Sequence, residues 1–134
     1  MKISTKGRYA LRLMLDLSEH KDEGLSRIKA ISARLDVSEK YLEQIINPLT
    51  KAGFVKSTRG AQGGYVIAVD PKTTFVGSIL RVMEGSLAPV RCVDSQECPK
   101  AEECKTARLW KRIGHAVDEV VDSVTLQDLL DGTV

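Results

Sequence analysis

The sequence predicts a mainly α-helical winged helix-turn-helix with one small β-hairpin, extended by a long C-terminal dimerisation helix. Three observations carry that prediction. Two short amphipathic segments, each behind a serine suited to capping, are joined by a tight Asp36-Val37 link. Two short apolar runs then flank the glycine-rich tip Thr58-Arg59-Gly60-Ala61-Gln62-Gly63-Gly64, the pattern of a hairpin wing. Finally, Lys105–Val121 carries Trp110, Ile113, Val117 and Val120 on one side, a wider apolar stripe than so small a domain needs for its own core.

The elements follow in order. From Thr5 to Glu19, Tyr9, Ala10, Leu13, Met14 and Leu17 recur at helical spacing, with Ser4 or Thr5 placed to cap the first turn. Gly24 interrupts, and Ser26 is expected to cap a short helix carrying Ile28, Ile31 and Leu35. Ser38 caps the next helix, whose stripe is Tyr41, Leu42, Ile45 and Ile46. Pro48 lacks a backbone donor and crowds the preceding turn, so the regular helix is expected to kink or end near Ile46, with Gly53 closing it. Strands are expected at Phe54–Ser57 and Tyr65–Ala68, and a further helix over Thr74–Glu84. Residues 85–104 lose periodicity and hold Pro89, Pro99 and all three cysteines, so they read as a loop. Thr125 and Asp128 have capping-box spacing for a last short helix, Leu126–Leu130. The expected division is a DNA-binding unit over 1–84, the cysteine segment over 85–104, and the dimerisation helix with its short successor over 105–134.

Composition narrows the function. The 134 residues are 43% hydrophobic and 28% charged, which suits a core-forming chain and excludes a disordered one. The longest apolar runs, such as that around Val117–Val121, are too short to cross a bilayer, and the N-terminus shows no apolar leader. A cytoplasmic location without membrane attachment is therefore expected. Residues 1–60 hold twelve Lys/Arg against seven acids, a net of +5, while residues 61–134 hold eight against eleven, a net of −3. A basic first half joined to an acidic second half fits a polyanion-binding module with a separate sensing or pairing module.

In a helix-turn-helix the second helix enters the major groove with its N-terminal residues at the base edges. Here those residues are Ser38, Lys40, Tyr41, Glu43 and Gln44. Glu43 can accept from a cytosine amino group and Gln44 can pair with adenine, while Ser38, Lys40 and Tyr41 have the reach for phosphates or bases. Arg59 beside Gly60 at the wing tip suits a narrow, electronegative minor groove. Gly63-Gly64 is turn geometry and not a phosphate loop, because neither a helix nor a Lys-Ser/Thr pair follows.

Cys92, Cys98 and Cys104 stand six residues apart. This is not the paired Cys-x-x-Cys of structural zinc, and an odd count argues against a disulfide framework. On spacing alone, a metal centre and three unrelated thiols both remain open. A thiol redox enzyme fits poorly, since there is no Cys-x-x-Cys and His20 and His115 lie far from the thiols in sequence. No enzyme activity is expected.

Met1-Lys2-Ile3-Ser4-Thr5-Lys6-Gly7-Arg8-Tyr9-Ala10, Tyr41-Leu42-Glu43-Gln44, Arg59-Gly60 with Gly63-Gly64-Tyr65, Val82-Met83-Glu84-Gly85, the three cysteines, Leu109-Trp110 and Val124-Thr125-Leu126 together resemble the IscR/CymR/NsrR family of bacterial transcription regulators. The resemblance covers essentially the whole chain. It implies a homodimer on double-stranded DNA with an inverted-repeat operator, most consistent with a repressor, with Ser38, Lys40, Tyr41, Glu43, Gln44, Arg59 and Gly60 in the interface. It implies that Cys92, Cys98 and Cys104 hold an iron–sulfur cluster, expected as 2Fe-2S, that governs iron–sulfur assembly or sulfur genes. Two departures leave the fourth ligand open. IscR-like members place a histidine three residues after the third cysteine, where this chain has Ala107, and NsrR-like members use an aspartate where it has Arg8. Asp94, Glu102, Glu103, Thr106, His115 and a group from a partner subunit are the alternatives. The competing role is that of CymR-like members, cysteine-metabolism repressors without the cluster, or a thiol or zinc sensor.

Overall fold

The computed structural model describes residues 2–94 and 98–134. Met1 of the N-terminal motif and residues 95–97 of the cysteine segment lie outside the described residues. The element order is α1 (Thr5–Glu19), α2 (Ile28–Leu35), α3 (Glu39–Lys51), β1 (Val55–Thr58), β2 (Gly64–Ile67), α4 (Val76–Glu84), α5 (Arg91–Asp94), α6 (Ala107–Val121) and α7 (Leu126–Asp131). The mainly helical winged-helix architecture with a two-stranded antiparallel hairpin is the expected one.

Local chemistry sets most boundaries. Ser4 caps α1 by accepting from the Gly7 amide at 3.0 Å, and its own hydroxyl and amide donate to Glu84 at the end of α4. Ser38 caps α3 by accepting from the Tyr41 amide at 3.1 Å. The Thr125–Asp128 capping box starts α7 as expected, with both reciprocal bonds present. Between α2 and α3, Asp36 takes a left-handed conformation (φ 53°, ψ 50°), which makes the turn.

Several expectations are corrected. Pro48 does not end the helix near Ile46, for α3 runs on to Lys51. Leu42, Ile45, Ile46 and Leu49 are all wholly buried. Burying Leu49 gives about 1.5–3 kcal/mol, which offsets most of the roughly 3 kcal/mol that an interior proline costs. Gln44, whose carbonyl loses its partner to Pro48, is exposed to water. Ser26 does not cap α2, because its backbone is paired in both directions with Tyr65 (2.8 Å each) as a third piece of sheet. Arg27 takes the cap position, while the Ser26 hydroxyl accepts from Arg34 at 3.2 Å. The strands lie one residue from their expected places, registered Val55↔Ile67 to Thr58↔Gly64. Phe75 is extended and bridges Thr125, so α4 starts at Val76 and not at Thr74. The loop expected over 85–104 contains the one-turn helix α5.

One core holds the body together. Ala10, Leu13, Met14 and Leu17 of α1 meet Ile31, Leu35, the α3 stripe, Val55 and Ile79, and Leu126 of α7 joins the same cluster. Buried Asp16 pins α2 to α1 through a two-pronged bond with Arg34 (2.8 and 2.7 Å), and that bond holds the guanidinium protonated. On the other side, Arg81 of α4 bonds Asp118 at 2.7 Å and Asp122 at 2.6 Å, fixing α6 against the body. The Arg81 guanidinium holds the Asp122 carboxyl below the usual aspartate range.

Candidate nucleic-acid interface and cysteine pocket

The first turns of α3 present Ser38, Glu39, Lys40, Glu43 and Gln44, all exposed, on the side away from the buried stripe. Helical spacing accounts for this, since the stripe residues recur every three or four positions and leave the others outward. Ser38 is exposed, but its hydroxyl is already committed to capping the helix. Tyr41 sits differently from the reach expected of it. Its ring meets Tyr9 edge-on at 5.8 Å between centroids, and its hydroxyl is buried with no hydrogen-bond partner among the described residues. Arg12 in turn lies over the Tyr9 ring at 4.8 Å. Tyr41 therefore props the start of α3 on α1 and does not project from it.

Arg59 and Gly60 are exposed at the tip of the wing. Gly60 has φ +105°, and the Gly63 amide donates back to its carbonyl at 3.0 Å, closing the tip. Gly64 lies where a Cβ would come within 2.6 Å of the Ser26 carbonyl oxygen, so the bridge that ties the wing to α2 requires glycine there. Between α3 and the wing runs an open groove of about 510 Å³, lined by Arg27, Lys29, Asn47, Thr50 and Arg59 among others. Arg27 and Lys29 were not singled out from the sequence. They count toward the basic first half, but only folding places them beside Arg59.

The cysteines are gathered by a different device. Cys92 lies on α5, Cys98 and Cys104 stand on either side of the turns over 99–103, and α5 packs on α6 beside Gly114. A Cβ at Gly114 would stand 3.4 Å from Val93 and 3.5 Å from Pro89, ordinary contact with no space to spare. All three thiols line one cavity of about 270 Å³, together with Val93, Ala101, Ala107 and Lys111. The Thr106 hydroxyl, 3.4 Å from the Cys104 sulfur, together with backbone donors at Thr106 and Ala107, pulls that thiol below its ordinary range. Lowered pKa favours the thiolate, the form that binds metals and attacks electrophiles.

As a donor set, the cavity fits an iron–sulfur cluster on three sides. Of the alternatives for a fourth ligand, Asp94, Glu102, Glu103, Thr106 and His115 are not among its lining residues, and Ala107 occupies the wall where a histidine would stand. Among the described residues, no three His, Cys, Asp or Glu side chains are close enough together to hold a single metal ion. Also among them, no helix is long and apolar enough to cross a membrane.

Comparison with known proteins agrees with this architecture. Residues 3–132 match the Rrf2 family, described as iron-dependent transcriptional regulators. The HTH-type transcriptional regulator CymR of Bacillus subtilis is 47% identical over 133 residues, covering 99% of this chain and 92% of that protein. The structure of CymR, the global cysteine regulator of B. subtilis, superposes with a TM-score of 0.81 at 45% identity, covering 100% of this chain and 99% of the other. T. potens IscR superposes with a TM-score of 0.78 at 42% identity, covering 100% of this chain and 89% of the other. With a family match across nearly its whole length, the chain belongs to the Rrf2 family and is a DNA-binding transcriptional regulator, not an enzyme.

Proposed function

We propose that this regulator is a homodimeric repressor whose hold on an inverted-repeat operator is set by an iron–sulfur cluster at Cys92, Cys98 and Cys104. The observation that carries the sensing role is the shared cavity: three thiols from a 13-residue stretch line one space without converging on one point. A tetrahedral zinc ion needs its thiolates at about 2.3 Å from one centre. A space of about 270 Å³ walled by separated thiols suits a group of several atoms better. When bound, a cluster would supply redox- and oxygen-sensitive crosslinking of the segment.

The chain's own residues transmit such a change. Cys92 and Val93 belong to α5, which rests on α6 at Gly114, and Asp118 of α6 and its C-cap Asp122 follow one and two turns further on. Those carboxylates grip Arg81 in the last turn of α4, whose final residue, Glu84, holds Ser4 at the start of α1. Ordering of the cysteine segment thus acts on the attitude of α6 relative to the DNA-binding body. Only a ligand that favours one attitude over another shifts binding. Glu43, Gln44 and Lys40 supply the major-groove contacts and Arg59 with Gly60 the minor-groove contact; Ser38 and Tyr41 set the first turn of α3. The apolar outer face of α6, with Leu109 51% and Val120 60% exposed, pairs with a second copy.

A second reading, a thiol or cysteine-responsive repressor without a cluster, draws on the 47% identity to CymR and on Ala107 in the cavity wall. Anaerobic purification with visible absorption, iron, acid-labile sulfide and zinc analysis separates the two. Iron and sulfide lost in Cys98→Ala support the cluster. A colourless, iron-free protein after anaerobic reconstitution selects the second reading, with operator binding retained.

A further inference from the structure

We propose that Lys111 is the counter-charge of the cysteine cavity and sets the reduction potential of a cluster held there. This rests on the reading of Cys92, Cys98 and Cys104 as cluster ligands. Among the described residues, the lining of that cavity is three thiols, three aliphatic side chains and one ammonium, that of Lys111, with no carboxylate. Lys100, Lys105, Arg108 and Arg112 stand in or beside the same stretch of chain, yet none of them lines the space.

Helical spacing puts Lys111 in the wall. Ala107 and Lys111 are one turn apart on α6 and share a face, and the packing of α5 on α6 brings Cys92 into the same cavity. Among the described residues Lys111 pairs with no acid, whereas Arg81 is held by Asp118 and Asp122. Three thiolates outweigh the positive charge of a two-iron core, so the oxidised site is anionic. Each electron added, Fe(III) to Fe(II) with no bond made or broken, makes it more so. An ammonium in the wall therefore favours the reduced state and raises the potential. Lys111 is exposed, so its field acts through an effective dielectric of about 20 and its effect is moderate.

The test is a dithionite titration of the full-length protein after anaerobic reconstitution, followed by visible absorption against redox dyes of known potential. Lys111→Met should shift the equilibrium about tenfold toward the oxidised state, which for one electron is about 59 mV to the negative. Lys111→Glu should move it further in the same direction. Lys111→Arg keeps the charge and should titrate as the parent does, as should Arg112→Gln, which changes net charge outside the cavity. Loss of iron to a chelator, followed on the oxidised protein, gives a second measure: about tenfold faster in Lys111→Glu and unchanged in Lys111→Arg. Methionine and glutamate variants that bind iron and sulfide but match the parent in potential and iron loss would overturn the role of Lys111 while leaving the cluster reading intact. An equal shift in Lys111→Arg or Arg112→Gln would also overturn it, because packing or net charge would then be the cause. A parent protein that takes up neither iron nor sulfide would overturn both readings together.

Discussion

Leu13, Ile31, Leu42 and Ile45 of the winged-helix body are wholly buried, whereas Leu109 and Val120 of α6 stand 51% and 60% exposed. Both regions are amphipathic helices. In the body, α1 has α2, α3, α4 and α7 against its apolar face. In α6, Gly114 is the buried residue, Trp110, Ile113 and Val117 are half-buried, and Leu109 and Val120 stand in solvent. The cysteine segment shares that incompleteness, for its three thiols surround a space that no fourth protein donor among the described residues closes. The body is closed by its own side chains, while α6 and the segment beside it are left more open. A regulator needs that division, because a part saturated by its own contacts has little left to couple to a signal.

The strongest way to break the comparison is to damage the body. Ile45→Ala should cost about 2–5 kcal/mol, as for other wholly buried aliphatics, and abolish DNA binding by unfolding, as chemical denaturation would report. Cys98→Ala, by contrast, should leave the apo protein's melting unchanged. Next in size, Val120→Asp would place like charges together across a two-fold axis. Sedimentation should then show monomers that keep the helical circular dichroism of the parent, and a dimer of parental strength would remove α6 as the pairing face. Ala107→His sharpens the cluster reading, since it sets an imidazole in the cavity wall. Iron retained after exposure to air should rise in that variant, and equal loss would mean that the wall is not where a fourth ligand acts.

The smallest effect concerns the Arg81 link. Its partners are about half exposed, so the link is worth no more than about 1 kcal/mol. Because Arg81 depresses the Asp122 carboxyl, its contribution is present above the ordinary aspartate value near 4 and disappears as pH falls through the lower folded value. Protection of the α6 amides, taken relative to their intrinsic exchange rates, should therefore fall in acid, and Arg81→Met should show the lower protection already at neutral pH. Identical protection of α6 in parent and variant at neutral pH would break the proposed route from α6 to α4.

How much of this was legible in the sequence depended on the range of the interaction that decides each feature. The Thr125–Asp128 capping box, the Ser38 cap and the α1 stripe are settled within four residues, and each appears as expected. The recognition helix and wing were legible because helical spacing and glycine placement are also local. The cysteines were visible as a trio, but their common cavity also takes Ala107 and Lys111 of α6 into its wall, which only folding brings against α5. Tyr41 looked available from its place near the helix start, and only its contact with Tyr9 turns it inward.

By itself, then, the sequence determined the winged-helix order, the capped starts of α1, α3 and α7, the exposed polar side of α3 and the place of the thiols, because periodicity and capping act over a turn or two. Tertiary structure decided the rest. It carried α3 through Pro48 by burying Leu49, took Ser26 from a cap into the sheet, and drew Leu126 of α7 into the core of α1. It also brought Arg27 and Lys29 alongside Arg59. In each of these the partners lie far apart in the chain, or the deciding energy is burial, which a local pattern does not contain.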